Sequence, residues 1–158
     1  MPTGRSGDLS VIYLHPLCNK CRDQRRSAFV EHELYDPALH RFITTLCGRA
    51  KSGAPNRKIV WALTDEDVLG MYLRQEGRCA LSGAPMTFRK STKPGKDWTA
   101  ISIDRVNSER NYTLDNVHLV CAVVNIMKME MPLNEFVTWC ARITAKVVCE
   151  EKQEAIID

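Results

Sequence analysis

The sequence predicts a small α+β fold in which two short strands and a helix fold together, embedded in several further α-helices. Three observations carry that expectation. Ala100–Ile103 and Val117–Cys121 are β-prone runs separated by a turn-rich connection. A helical stretch, Ala122–Met131, follows the second run at once. Elsewhere the apolar residues recur at helical rather than alternating spacing.

The elements follow in order along the chain. Residues 1–36 form a basic N-terminal arm, with "VIYLHPLCNKC" as a short β-prone run ending in a Cys-x-x-Cys knuckle. Pro37 opens a helix in which Leu39, Phe42, Ile43, Leu46, Cys47 and Ala50 share one side. Ser52–Lys58 reads as a loop from its Gly, Pro and Asn content. Thr64 is an N-cap, with three acids in the first turn where they oppose the helix dipole. That helix runs to about Glu76 and ends at Gly77. Arg78–Leu81 is a strand or knuckle, Ser82-Gly83 a turn, and Arg89–Trp98 a basic loop. Between the two strands, Asn111 suits a left-handed backbone position. A last helix, Leu133 to about Cys149, places Phe136, Val137, Cys140, Ile143 and Val147 on one side, with the period of core packing. Residues 37–149 therefore make the main domain, and 150–158 an acidic tail.

The chain has 158 residues, 44% of them hydrophobic and 26% charged. No apolar run reaches the roughly 20 residues of a membrane span, and the N-terminus lacks the apolar core of a signal peptide. A reducing, cytosolic setting is expected. Seven cysteines, an odd number, argue against a complete disulfide framework and for metal ligation or burial. Net charge is only +3, but the front half concentrates it. Between residues 20 and 58 lie nine Lys and Arg against four acids, a distribution that suits phosphate contact.

The chemistry concentrates between Ala100 and Lys128. A carboxylate, Asp104, ends the first strand, and an amide, Asn125, sits in the first turns of the following helix. A hairpin folded on that helix would bring a hard anionic oxygen beside a neutral carbonyl oxygen. Such a pair, with open positions, suits Mg²⁺ or Mn²⁺ and a phosphodiester substrate.

Together these residues resemble the HNH endonuclease family. Ile103-Asp104, Asn116-Val117, Asn125 and Lys128 match its motif, "GRCALSGAPM" matches the lead-in of phage-type members, and "LTDEDVLGMYLRQ" and "FITTLCGRAK" match their preceding helices. The likeness spans Phe42 to Cys140. It implies a ββα-metal finger of the HNH, treble-clef-like kind and a divalent-metal-dependent endonuclease that hydrolyses or nicks double-stranded DNA, in a bacterial or phage-infected host cytosol. It implies Asp104 and Asn125 as Mg²⁺ or Mn²⁺ ligands, Asn116 as the residue fixing the site, and Arg105 and Lys128 facing phosphate. Arg25, Arg26, Arg41, Arg49 and Lys51 would hold the DNA backbone without reading sequence.

Two departures bear on that expectation. Where the family places a general-base His, this chain has Arg105, whose guanidinium stays protonated. Three readings stay open: Arg105 clamps phosphate while another group handles the proton; His118 substitutes as base; or the finger binds DNA without cutting it. The second departure is zinc. The family's two Cys-x-x-Cys knuckles are reduced to Cys79 and Cys121, while Cys18 and Cys21 form a complete knuckle upstream. A structural Zn²⁺ would draw on these four, or on His15, or on His32 and His40. The alternative is that Cys79 and Cys121 are simply buried. A zinc-stabilised protein-interaction module is the third functional class.

Overall fold

The computed structural model describes residues 27, 29–88 and 97–154. Cys18, Cys21, His15, Arg25 and Arg26 lie outside the described residues, as do most of the 89–98 loop and the chain's last four positions. The described chain is mixed α+β: helices around a two-stranded antiparallel sheet.

Helix α1 spans Pro37–Gly53, with Pro at its start and the Asp36 carboxylate accepting from the Ala38 amide at 2.7 Å. Leu39, Ile43 and Cys47 form its buried stripe. A 3₁₀ turn, Pro55–Arg57, ends on left-handed Lys58. Helix α2, Asp65–Arg74, starts with a capping box. Thr64 Oγ1 accepts from the Asp67 amide, and the Asp67 carboxylate accepts from the Thr64 amide. The chain leaves α2 through two left-handed residues, Glu76 and Gly77, at φ 52° and 69°.

Strand β1 is Ile101–Arg105 and β2 is Val117–Cys121, paired from Ile101↔Cys121 to Arg105↔Val117. The first strand thus runs two residues further than the sequence suggests. Asp104 sits inside the ladder opposite His118, because Val117 and His118 continue the pairing past Ile103. Helix α3, Ala122–Lys128, follows β2 without a break and packs on both strands. It is shorter than expected: Met129 adopts φ 51°, which ends the helix three residues before Pro132. Asn111 is not left-handed. Its side chain instead accepts from the Val60 amide at 2.9 Å, tying the connection to the segment before α2.

The core joins α1, α2 and the sheet through Leu39, Ile43, Leu69, Leu73, Ile101, Leu119 and Val120, all almost fully buried. Helix α4, Leu133–Glu154, corrects one expectation. Only Phe136 of its apolar stripe is buried; Val137, Ile143 and Val147 are about half exposed. The period of the stripe is real, but α4 carries it beyond the body that would cover it. No helix is long and apolar enough to cross a membrane among the described residues.

Candidate active site

Side chains alternate across a strand, so Ser102 and Asp104 share a face of β1, and His118 opposite Asp104 shares it too. Asn125 and Lys128 stand three residues apart on α3, which places them on one side of that helix. The packing of α3 on the sheet brings the two sets together.

Asp104 is the centre. It is 4% exposed, and both its oxygens are engaged. Oδ2 lies 2.8 Å from His118 Nε2, and Oδ1 accepts from Lys128 Nζ at 3.1 Å. Lys128 is fully buried, and its ammonium donates also to the Arg105 carbonyl at 2.9 Å. Two donors thus meet one buried carboxylate, which would be costly to bury without such partners. His118 keeps a small exposed fraction. No hydrogen bond engages its Nδ1 among the described residues. Asn125 donates from Nδ2 to Ser102 Oγ at 2.7 Å and to the Ile103 carbonyl at 3.3 Å.

Asn116 is 1% exposed and fastens the connection between the strands. Its Oδ1 accepts from the Asn107 amide, and its Nδ2 donates to the carbonyls of Asn107 and Asn111. Arg105 is buried as well, and faces away from the Asp104 pocket. Its guanidinium donates to the carbonyls of Ser108 and Arg110 and lies 5.2 Å from the Tyr112 ring centroid. The expectation that Arg105 and Lys128 face phosphate therefore meets two interior side chains. One braces the connection, the other neutralises Asp104, and neither is presented to solvent. Arg41, Arg49 and Lys51 are exposed along α1.

The two expected ligands do not present a prepared pair. Asp104 has both oxygens committed, while Asn125 is anchored to β1 through its nitrogen, so that its carbonyl oxygen is the one expected donor still open to a cation among the described residues. No three His, Cys, Asp or Glu residues gather as a metal group among the described residues. The residues as arranged do not fit Mg²⁺ or Mn²⁺.

The zinc expectation has a partial counterpart. Cys79 and Cys121 are both buried and share a side-chain hydrogen bond. Burial works to raise the Cys79 thiol, but hydrogen bonds from the Ser82 side chain and from the Cys121, Ser82 and Leu81 amides outweigh it and hold the thiol below its ordinary value. Burial pushes the Cys121 thiol up to about 11, helped by the neighbouring Cys79. Their expected partners Cys18 and Cys21 lie outside the described residues. His32 Nδ1 accepts from the Leu34 amide, and His40 lies edge-on to the Tyr35 ring.

Sequence reasoning missed Ser102 and the joining of Lys128 to Asp104. The two-residue spacing of Ser102 and Asp104 was the available signal for the first. It also missed Gln75, whose side chain clasps Leu119 of β2, Oε1 accepting its amide and Nε2 donating to its carbonyl. Comparison with protein-family models, curated proteins and solved structures returned no match.

Proposed function

We propose that the chain is an HNH-like endonuclease, built on a ββα unit, in which an Asp–His pair formed across the hairpin serves hydrolysis of DNA phosphodiesters. One observation carries this reading: His118 Nε2 stands 2.8 Å from Asp104 Oδ2 on the one part-exposed side chain of the pair. With Nε2–H donated to the carboxylate, Nδ1 is the nitrogen left to accept a proton from water. Asp104 fixes the tautomer and stabilises the imidazolium that forms, the same division of labour that a buried Asp performs for a catalytic His elsewhere. Lys128 holds the other carboxylate oxygen of Asp104 and fixes its orientation. Asn116 keeps the connection closed beside the pair, and exposed Arg41, Arg49 and Lys51 supply sequence-independent phosphate contact.

A second reading is favoured by a different observation. Asp104 is nearly inaccessible and closed by Lys128, which suits a protein that binds DNA on the same scaffold without cutting it.

Supercoiled plasmid incubated with the protein, with EDTA or with Mg²⁺ or Mn²⁺, separates the two. Nicking is expected, and His118→Ala should slow it on the order of 100-fold or more. Asp104→Asn should slow it too, with a thermal melt to check folding. Plasmid that shifts in a gel but stays uncut under every condition would rule out the enzyme and leave the binding protein.

A further inference from the structure

The most unusual group in the molecule is a lysine with no exposed surface at all. Lys128 lies at the end of α3, where a long flexible side chain ordinarily keeps its charge in water. Here it is turned inward against two oxygens, a carboxylate and a backbone carbonyl, at 3.1 and 2.9 Å. Those are the kinds of hard ligand that Mg²⁺ and Mn²⁺ take from a protein. The ammonium meets them as a compact point charge.

We propose that the Lys128 ammonium occupies the cation position of this site, so that Asp104 holds an internal cation and binds no divalent metal. The inference rests on the ββα-unit reading above, because it is that reading which makes Asp104 a metal-ligand position. The geometry supports it from two sides. Asp104 has no oxygen left over: Oδ1 serves Lys128 and Oδ2 serves His118. The Arg105 carbonyl, which could complete a metal's shell, is also taken by Lys128. A metal entering at Asp104 would have to expel the ammonium and leave it unpaired in the interior, which is costly for a buried charge. A positive charge, one unit rather than two, thereby reaches Asp104 without any dependence on the metal supply.

The test is Mn²⁺ binding, followed by electron paramagnetic resonance of the free ion on the full chain. The wild type, Asp104→Asn, Lys128→Met and the double variant are compared. The wild type should bind no Mn²⁺ that Asp104→Asn abolishes. Lys128→Met empties the position and leaves Asp104 unneutralised, so it should bind one Mn²⁺ at least about tenfold tighter than wild type, and the double variant should lose it. Stoichiometric Mn²⁺ on the wild type that disappears in Asp104→Asn overturns the proposal. So does a folded Lys128→Met that binds none. If Lys128→Met does not fold, the wild type and Asp104→Asn pair decides alone. Plasmid nicking is scored separately: failure to cut under any condition counts against the endonuclease, while the Mn²⁺ result still stands for or against Lys128.

Discussion

Arg105 is held by two carbonyls of its own connection and by the face of Tyr112. A planar guanidinium can serve all three at once, and an ammonium cannot. Arg105→Lys is therefore expected to lose about 1–3 kcal/mol in urea unfolding, with DNA binding unchanged in the folded fraction. A phosphate clamp would give the opposite pattern. Cys47 makes a second prediction at this scale. Burial first, then the Asp65, Asp67 and Glu66 carboxylates at the start of α2, push its thiol from 9.0 up to about 12. The folded state keeps the proton while the unfolded chain releases it. Stability from this group is thus complete below pH 9 and is lost as pH rises toward 12, with a slope of up to about 1.4 kcal/mol per pH unit. Cys47→Val should flatten that alkaline slope, measured by denaturation from pH 8 to 11. Residue types were legible here, since Asp104, Asn116, His118, Asn125 and Lys128 all stood out in the sequence. Their pairing was not. Whether Lys128 turns to solvent or to Asp104 depends on how α3 is rotated on the sheet, and no local pattern records that rotation.

At the scale of elements, caps and breakers read well because their chemistry is local. Pro37, the Thr64 capping box and Gly77 each mark a boundary near the one observed. Gly77 is required for two reasons: its φ of 69°, and the Tyr72 hydroxyl 2.8 Å from where a Cβ would stand. Gly77→Ala should cost about 1–2 kcal/mol. Adding Tyr72→Phe should recover part of the loss by removing the clash while leaving the backbone strain, which a double-mutant cycle in urea would resolve. Strand ends read less well. The extension of β1 through Asp104 and Arg105 is decided by their partners His118 and Val117 on the other strand, so neither run alone discloses it. Asn111 illustrates the same limit, because a side-chain bond to Val60 replaced the backbone turn that its type suggested.

At the scale of the molecule, the apolar stripe of α4 shows what periodicity cannot decide. Spacing places Val137, Ile143 and Val147 near one side of a helix but says nothing about what lies opposite. Among the described residues Phe136 is the buried member of that stripe, with Cys140 half-buried. Ile143→Asp is accordingly expected to stay within about 0.5 kcal/mol of wild type, whereas Phe136→Ala should cost about 3 kcal/mol. Equal losses for the two would mean that the stripe is covered in solution. The α+β class itself was legible, because the turn-rich connection and the abrupt change to helical spacing at Ala122 are strong signals. The clasp of Gln75 on Leu119 was not, being a contact across 44 positions of chain.

That clasp has a consequence for how copies of the chain behave when crowded. A two-stranded ribbon leaves two open rims of amide and carbonyl groups, each a template on which a foreign strand can grow. On the β2 rim, Leu119 gives its amide to Gln75 and its carbonyl to Gln75 and Ala80. On the β1 rim, the Ile101 amide is taken by the Thr87 carbonyl. The two-stranded sheet is thus closed at mid-strand on β2 and at the first residue of β1, and a side-chain amide imitating a third strand guards the β2 rim against aggregation where no third strand pairs among the described residues.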